Sequence, residues 1–323
     1  MRALVCGTGS IGARHARNIK VLRPDIDLVF LRRNGGRDEL STELNARVVS
    51  CLEDGIATDP DFVVIATPSD SHLAPILACI RNNLPFYIEK PIVVSGLEIS
   101  LIRDELSKCD YRKPTLTGCN LRFLGSLRTA KGLIANGVLG EIARASFQAG
   151  QWLPDWRPSQ DYRLSYSADP DRSGGVLWDL IHEIDSAIFL LGDFDQVSAM
   201  TRVFDPLGMR SEAVATLMLA NSKGGPLVGI GLDYVARTLV RRYEIIGQLG
   251  TLVWDLPSRS MSLQRAERVE VITTRPEDFD VSATYVDAMR EFIHAVCLGT
   301  QTSHNIERGL KSVEIALQAK GGI

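Results

Sequence analysis

The chain has 323 residues, of which 45% are hydrophobic and 23% are charged, and its formal net charge is −3. This length exceeds one compact domain and predicts two domains with a shared cleft. The composition excludes a disordered chain, and the small negative charge gives no argument for nucleic acid or an anionic membrane as a partner, which leaves a small neutral or anionic ligand.

Cysteine usage and hydropathy bear on the compartment. The six cysteines are scattered, with no pair at metal-ligand spacing, so the sequence predicts reduced core thiols and no metal site. An apolar strand follows Met1 almost at once and leaves no room for a secretion signal. No segment approaches the roughly 20 apolar residues that span a bilayer. We therefore expect a cytoplasmic protein.

The first third of the chain alternates short apolar runs with amphipathic segments. The runs cover residues 3–6, 28–31, 62–66, 86–88 and 115–117. This alternation predicts a doubly wound α/β domain, residues 1–120, in which helices cover a parallel sheet.

The pattern changes after Phe123. A helix over about residues 124–136 precedes segments with period-two character, at 141–152, 195–204, 213–220, 226–236, 239–247 and 251–256. They predict an antiparallel sheet in a second domain, residues 121–323. Two amphipathic helices, at about 283–297 and 306–320, close the chain, and the last is expected to pack back on the first domain.

A glycine-rich segment, Gly7-Thr8-Gly9-Ser10-Ile11-Gly12, follows the first strand and opens a helix. In this context the first glycine permits a tight turn, the second lets the backbone approach a pyrophosphate, and the third lets the helix pack closely. The helix N-terminus then faces the anion. The segment predicts a dinucleotide site, the alternative being a glycine-rich turn with no ligand.

The end of the second strand indicates which dinucleotide binds. An NAD site places a carboxylate there for the ribose hydroxyl, whereas this chain has Arg32-Arg33-Asn34. Two guanidiniums would attract a 2′-phosphate, so NADP is favoured over NAD, with dual use left open. The alternative is that both arginines are merely solvated.

Polar segments follow two further strands, where ligands bind in doubly wound folds. They are Thr67-Pro68-Ser69-Asp70-Ser71-His72 and Glu89-Lys90-Pro91. A lysine at the tip of a buried strand is well placed to donate to a substrate oxygen. Taken alone, such a lysine is more often a solvated strand end, so both interpretations stay open at this point.

A second candidate group lies on a predicted helix from Gly174-Gly175 to about Leu191. Its periodicity puts leucines and isoleucines on one stripe, and Asp179, His182, Glu183 and Ser186 on the opposite face. Asp179 and His182, three apart, can point into the same space. The alternative is an amphipathic helix whose polar face lies in water.

Residues 151–166 are dense in aromatic side chains and arginine, including Trp152, Trp156, Arg157, Tyr162 and Arg163. Aromatic faces stack on sugar rings, and guanidinium groups bind carboxylate or phosphate. The segment predicts a carbohydrate platform. The alternative is a loop that packs on its own tryptophans or at a subunit interface.

Four of these signals, in this order, resemble the glucose-fructose oxidoreductase / inositol dehydrogenase / MocA family over nearly the whole chain. They are the Gly7 to Gly12 turn, Ala66-Thr67-Pro68 followed by His72, Glu89-Lys90-Pro91, and the Gly-Gly helix with Asp179 and His182. The resemblance implies a Rossmann domain that binds NADP or NAD, then a domain with a large, open, mostly antiparallel sheet. That sheet would bind substrate and pack against another subunit in a homodimer or homotetramer.

The resemblance also implies roles for single residues. Lys90, Asp179 and His182 would meet at the nicotinamide: His182 would exchange the hydroxyl proton, Lys90 would hydrogen-bond the reacting oxygen, and Asp179 would orient substrate or His182. The cofactor positions would be Gly7, Thr8, Gly9, Ser10, Ile11, Gly12, Arg32, Arg33, Thr67, Pro68, His72, Glu89 and Lys90. The substrate positions would be Asn120, Arg122, Trp152, Trp156, Tyr162 and Arg163.

One spacing departs from the family. Many members have three residues between the aspartate and the histidine, whereas only Leu180 and Ile181 intervene here, and on a continuous helix the loss of one residue is a rotation of about 100°. Members encoded among surface-polysaccharide genes share the shorter spacing, so we assign the chain to that subgroup.

Together these features predict an NAD(P)-dependent oxidoreductase. It would transfer hydride between nicotinamide and a secondary alcohol or ketone of a sugar, amino sugar or sugar nucleotide, in the synthesis of a surface polysaccharide. The alternatives are a non-catalytic NADP-binding sensor of the same fold and an imine or enone reductase.

Overall fold

The computed structural model describes residues 1–156 and 161–321. The chain forms two compact units, one made of residues 1–120 and 282–310 and the other of residues 121–281 and those from 311 onward. None of the helices within the described ranges combines the length and the hydropathy needed to span a lipid bilayer.

The first unit holds a six-stranded sheet. Its strands are Arg2–Cys6 (β1), Asp27–Leu31 (β2), Arg47–Val49 (β3), Phe62–Ile65 (β4), Phe86–Ile88 (β5) and Thr115–Thr117 (β6). Its first helices are Ser10–Leu22 (α1), Glu39–Glu43 (α2), Leu52–Ile56 (α3), Leu73–Arg81 (α4) and Gly96–Lys108 (α5). The strand β3 is an addition to the sequence prediction.

The strand order of this sheet is β3-β2-β1-β4-β5-β6, and every pair is parallel. This confirms the predicted doubly wound sheet. The order reverses between β1 and β4, and ligands of such folds bind outside the carboxyl ends of the strands at that point. The segments that follow β1 and β4 therefore hold the position where a dinucleotide is expected.

The second unit contains the larger sheet. Its strands are Ile142–Gly150 (β7), Gln196–Arg202 (β8), Val214–Ala220 (β9), Leu227–Asp233 (β10), Val240–Gly247 (β11), Gly250–Asp255 (β12), Ser260–Arg265 (β13) and Arg268–Thr273 (β14). Its helices are Gly125–Ala135 (α6), Val176–Asp179 (α7) and Ile181–Leu191 (α8). The chain continues with Val281–Leu298 (α9) and Ile306–Ala319 (α10).

The larger sheet has the order β14-β13-β12-β11-β7-β10-β9-β8. Only β7 and β10 pair in parallel among its described strands, which confirms the predicted large, mostly antiparallel sheet. One face is a core of stacked rings, with Tyr243 4.6 Å from Phe147 and 4.5 Å from Trp254. Strands β13 and β14 are additions to the prediction, which ended the sheet at residue 256.

The first unit takes part of its core from α9. The ring of Phe292 packs edge-on against Phe62 at 5.4 Å and lies 6.0 Å from Tyr87. Cysteine burial is mixed, because Cys109 and Cys297 are exposed. The expectation that all six thiols are core residues is therefore wrong for these two.

Candidate functional site

The glycine turn after β1 has one open position and two crowded ones. Gly7 has φ +90°, and a Cβ there would lie 2.6 Å from the Ala66 carbonyl oxygen. A Cβ on Gly12 would lie 2.0 Å from the carbonyl oxygen of Gly7. At Gly9, by contrast, a Cβ would meet no described atom within 4 Å. Gly7 and Gly12 are thus required by the fold, whereas Gly9 leaves free space at the N-terminus of α1, which fits the approach of a pyrophosphate.

This contrast gives a paired prediction. Gly12→Ala should destabilise the protein by roughly 1–3 kcal/mol or more, because the added methyl group overlaps backbone. Gly9→Ala should leave the unfolding temperature unchanged, because its φ of −65° suits alanine, and should weaken NADPH binding at least about tenfold by filling the space for the pyrophosphate. Thermal melts and fluorescence titration measure the two effects. Unaltered NADPH affinity in Gly9→Ala would exclude this turn as the pyrophosphate site.

The arginines after β2 differ in their surroundings. Arg32 forms an ion pair with Asp38, which also caps α2 by accepting from the Ser41 amide at 2.9 Å. That amide, then the Ser41 hydroxyl and Arg32, lower the pKa of Asp38. A carboxylate therefore lies beside Arg32, although it comes from Asp38, later in the chain than the segment that ends at Asn34. Arg33 is exposed.

His72 lies in the core of the first unit. It is 1% exposed, its Nδ1 lies 3.0 Å from the carbonyl oxygens of Pro91 and Ile92, and its Nε2 lies 2.9 Å from that of Thr67. Desolvation lowers the pKa of this imidazole, although the three carbonyl oxygens oppose that shift. These contacts hold the segments after β4 and β5 together, and the predicted cofactor contact of His72 stays a prediction.

Glu89 and Lys90 directly follow β5, and Glu89 contacts a residue that was not among the predicted site residues. Glu89 is 7% exposed, and its Oε1 lies 2.6 Å from Nε2 of His15, which is wholly buried on α1. Its Oε2 accepts from the backbone amide of Lys90 at 3.3 Å. His15 shares the buried face of α1 with Gly12, Ala16 and Ile19. The sequence could have indicated this contact, because a histidine among the buried residues of a helix requires a polar partner.

The helix predicted from Gly174 onward is interrupted. α7 ends at Asp179, Leu180 has φ −101° and ψ 29°, and α8 begins at Ile181. The prediction of one continuous helix is wrong at this residue. The rotation of about 100° per residue applies only within one continuous helix. Because the break lies between Asp179 and His182, the shorter spacing does not show that either side chain points away from the site.

Asp179 belongs to a cluster that also contains aromatic rings. It is 7% exposed and accepts from the Tyr234 hydroxyl at 2.6 Å. Burial, then the nearby carboxylate, raises the pKa of Tyr234, so the phenol stays protonated and donates. Trp156 packs edge-on against Tyr234, with ring centroids 5.3 Å apart. A predicted catalytic residue and a predicted sugar-stacking residue therefore share one neighbour, which the sequence did not indicate.

Glu183, Asp185 and Ser186 of α8 are buried, so the alternative of a solvated polar face is wrong. Glu183 is fully buried, pairs with Arg241 at 2.7 Å and accepts from the Tyr243 hydroxyl at 3.0 Å. Ser186 is 2% exposed. His182, the second residue of α8, is half-buried. The network on β11 thus fixes the helix that carries His182.

Two predicted substrate residues have structural partners. Arg122 donates from Nε and Nη2 to the two carboxylate oxygens of Asp185, both at 2.7 Å. Asn120 donates to the Thr284 hydroxyl at 2.7 Å within the core of the first unit. Arg122 thus holds α8 in place and Asn120 anchors α9, and their predicted substrate roles stay predictions.

Residues of the predicted aromatic platform also have partners within the protein. The guanidinium of Arg237 lies 3.7 Å from the Trp152 ring centroid and covers one face of it. The Tyr162 hydroxyl donates to the Leu207 carbonyl at 2.9 Å, and Arg163 pairs with Asp161 at 3.0 Å. Arg157 and residues 158–160 of the predicted platform lie outside the described residues.

The Gly174-Gly175 turn before α7 also requires its glycines. A Cβ on Gly174 would lie 2.2 Å from the Tyr166 carbonyl oxygen, and Gly175 has φ +117°. Lys320 donates to the Gly174 carbonyl at 3.3 Å and pairs with Glu212 at 3.1 Å. These contacts fix the start of the helix that ends in Asp179.

Comparison with known proteins identifies relatives that are named as enzymes of sugars and polyols. The chain is 29% identical over 199 residues to the 2,7-anhydro-N-acetylneuraminate hydratase of Escherichia coli strain K12, covering 61% of this chain and 51% of the relative. It is 25% identical over 269 residues to the myo-inositol 2-dehydrogenase of Thermotoga maritima, covering 79% and 75%. The chain spans about half the length of the curated relatives it matches first.

Solved structures and family models agree on the fold. A myo-inositol dehydrogenase from Corynebacterium glutamicum superimposes with a TM-score of 0.80 and 24% identity, over 100% of this chain and 96% of that one. Residues 1–107 match the model of the oxidoreductase family with an NAD-binding Rossmann fold, and residues 127–253 match the GFO/IDH/MocA C-terminal domain. With both of its domain models matched in order, the chain belongs to the GFO/IDH/MocA family of oxidoreductases.

Proposed function

We propose that the protein is an NAD(P)-dependent dehydrogenase or reductase that acts on a secondary alcohol or ketone of a sugar or polyol. The observation that carries this proposal is the open glycine turn after β1, where the strand order reverses. It belongs to the same sheet as β5, the strand that leads directly into Glu89-Lys90. A relative named myo-inositol 2-dehydrogenase supports a polyhydroxylated substrate.

The proposed roles follow from side-chain chemistry. A bound nicotinamide would accept or supply the hydride. Lys90 would donate a hydrogen bond to the reacting oxygen and stabilise its developing negative charge. His182 would take the hydroxyl proton in oxidation and return it in reduction. Asp179, held by Tyr234, would orient a substrate hydroxyl or His182.

The activity is tested in two sets of reactions with the purified chain. The first combines NADP+ or NAD+ with a panel of polyols, sugars, anhydro sugars, amino sugars and sugar nucleotides, and the second combines NADPH or NADH with ketones, imines and enones. Reduced nicotinamide is followed by its near-ultraviolet absorbance, and products are identified by mass spectrometry. Cofactor binding without conversion of any panel member would favour a non-catalytic sensor, and conversion of imines or enones alone would favour the other reductase class.

A second activity has its own support. One relative is named as a hydratase rather than a dehydrogenase, and a hydratase adds water without net oxidation. If this chain acts in the same way, mass spectrometry will find a product heavier by one water while the nicotinamide absorbance stays constant. The two readouts of the panel therefore distinguish hydration from net dehydrogenation.

For the cofactor we propose NADP, bound through Arg33. The guanidinium of Arg32 already pairs with Asp38, whereas Arg33 is exposed at the end of β2. Arg33→Ala should raise the Kd for NADPH about tenfold, as expected for one lost hydrogen bond to a charged group, and leave the Kd for NADH unchanged. Arg32→Ala should have the smaller effect. Fluorescence titration measures both, and an equal change for NADPH and NADH in Arg33→Ala would exclude a 2′-phosphate contact.

For the substrate site we propose Trp152 and Trp156 as the stacking residues. Trp156 is half-buried beside Tyr234, the partner of Asp179, and Trp152 is half-buried beneath Arg237. Arg163, which is exposed, would meet the charged part of a sugar nucleotide. A role in surface-polysaccharide synthesis is the further expectation, and it requires that sugar nucleotides be converted in the panel.

We also propose that the protein is a homo-oligomer that pairs through the larger sheet. Met200, on the edge strand β8, is 82% exposed, and Met218 on β9 is 48% exposed. Apolar side chains in such positions on a sheet are typical of a surface that another subunit covers. Light scattering of the purified protein tests this, and a monomer at micromolar concentration would contradict it.

A further inference from the structure

A buried carboxylate connects two parts of the first unit. Glu89 is 7% exposed, and a carboxylate in such surroundings requires partners for both oxygens. Oε1 is bound by His15 of α1 at 2.6 Å, and Oε2 accepts from the Lys90 amide at 3.3 Å. A Cβ on Gly118 would lie 2.9 Å from Oε1, so the glycine makes room for this arrangement.

His15 is held as firmly as the carboxylate. Its ring is fully buried and lies 4.7 Å from the ring of Tyr87 and 6.1 Å from that of Tyr285. The guanidinium of Arg14 lies over the outer ring, 4.6 Å from the centroid of Tyr285. His15 is part of α1, and these rings from β5 and α9 restrict where its side chain can lie beside Glu89.

The helix that carries His15 begins in the glycine turn. The Ala13 amide donates to the Gly9 carbonyl at 2.8 Å, so the first hydrogen bond of α1 comes from the turn itself. From Gly9 a continuous path of helix and hydrogen bonds leads through His15 and Glu89 to the backbone of Lys90.

We propose that His15 and Glu89 are positioning residues that couple occupancy of the nucleotide turn to the placement of Lys90. This inference rests on the proposed function, since it needs a nucleotide at Gly9 and a catalytic role for Lys90. When a pyrophosphate binds at the N-terminus of α1, His15 keeps Glu89 in place, and Glu89 holds the Lys90 amide. The backbone of Lys90 is thereby fixed before substrate binds, which limits the positions that its side chain can take.

The coupling is measurable at the Lys90 amide without a substrate. The chain has eight lysines, so selective labelling with 15N-lysine gives few amide resonances, and the Lys90 resonance is assigned by its absence in Lys90→Arg. Hydrogen exchange of this amide is then compared with that of Lys108, which ends α5 in the same unit. The ratio of the two rates removes any change in the stability of the unit as a whole.

We expect His15→Leu to speed exchange at Lys90 about tenfold relative to Lys108, because Glu89 loses its charge-assisted partner. His15→Gln keeps an N–H donor in place of Nε2 and should stay near the wild-type ratio. NADPH should slow exchange at Lys90 in the wild type and in His15→Gln, and not in His15→Leu. Tyr111→Phe is the control, since it removes a buried hydrogen bond to the Leu84 carbonyl elsewhere in the same unit.

The outcomes separate the inference from the function on which it rests. If neither NADPH nor NADH binds the wild type in a fluorescence titration, the proposed function fails. If NADPH binds and the exchange ratio at Lys90 is the same in the wild type and in His15→Leu, the coupling is overturned. If Tyr111→Phe changes the ratio as much as His15→Leu does, the pair is only a stabilising core contact and the inference is equally overturned.

Discussion

Lys90→Met is expected to lower kcat by about 10²–10⁴-fold, the range typical of losing a group that assists proton transfer or charge development. Methionine keeps the unbranched shape of the side chain and removes its charge and donors. The NADPH affinity should change by less than about threefold, which is under 1 kcal/mol. The measurements are steady-state turnover of whichever panel member the wild type converts, and fluorescence titration of NADPH.

Lys113→Met is the matched control for this variant. Lys113 is exposed, belongs to the same unit and lies ahead of β6 rather than after a strand. Removing its charge should leave both turnover and NADPH binding as in the wild type. Should Lys90→Met keep more than about a tenth of the wild-type kcat, a loss below 1.4 kcal/mol, the catalytic assignment of Lys90 would have to be abandoned.

Arg122→Met is expected to cost about 3–5 kcal/mol of unfolding free energy, because it leaves the Asp185 carboxylate buried without its main partner. The side chains of Arg122 and Asp185 are 10% and 2% exposed, and the two hydrogen bonds between them are both 2.7 Å long. The urea midpoint should therefore fall sharply. Because Asp185 lies on the helix that carries His182, turnover per molecule should fall as well.

Two further variants give this prediction its contrast. Arg163→Met breaks a pair whose side chains are 59% and 39% exposed, so solvent already screens it and the urea midpoint should stay nearly unchanged. Replacing both Arg122 and Asp185, by methionine and leucine, should be less harmful than Arg122→Met alone, since no buried charge remains. If Arg122→Met and Arg163→Met shift the urea midpoint equally, the structural role assigned to Arg122 is wrong.

Local sequence patterns were sufficient to predict the parts of the fold that depend on residues adjacent in the chain. The glycine turn, the parallel strands and the strand end at Lys90 were predictable because backbone conformation and hydrophobic period are local properties. Long-range partners were not predictable in this way. Glu89 meets His15, which is 74 residues away in the chain, and a single sequence gives no sign that the two touch.

The helix after Gly175 illustrates the same limit. Its period of apolar residues was real, but the period alone suggested that Glu183 faces water. The structure instead brings Arg241 and Tyr243 of β11 onto Glu183, so the polar stripe is a buried network. The break at Leu180 was likewise unpredictable, because leucine has no preference against helix that would mark it.

The contribution of α9 to the first unit has a consequence for biosynthesis. Phe62 and Tyr87 leave the ribosome early, whereas Phe292, which packs on both, follows roughly 200 residues later, or about 10–40 seconds at usual rates of translation. During that interval one side of the nascent nucleotide-binding sheet stays uncovered and available to chaperones. The first unit therefore cannot complete its core until nearly the whole chain has been translated, although its sheet is made first.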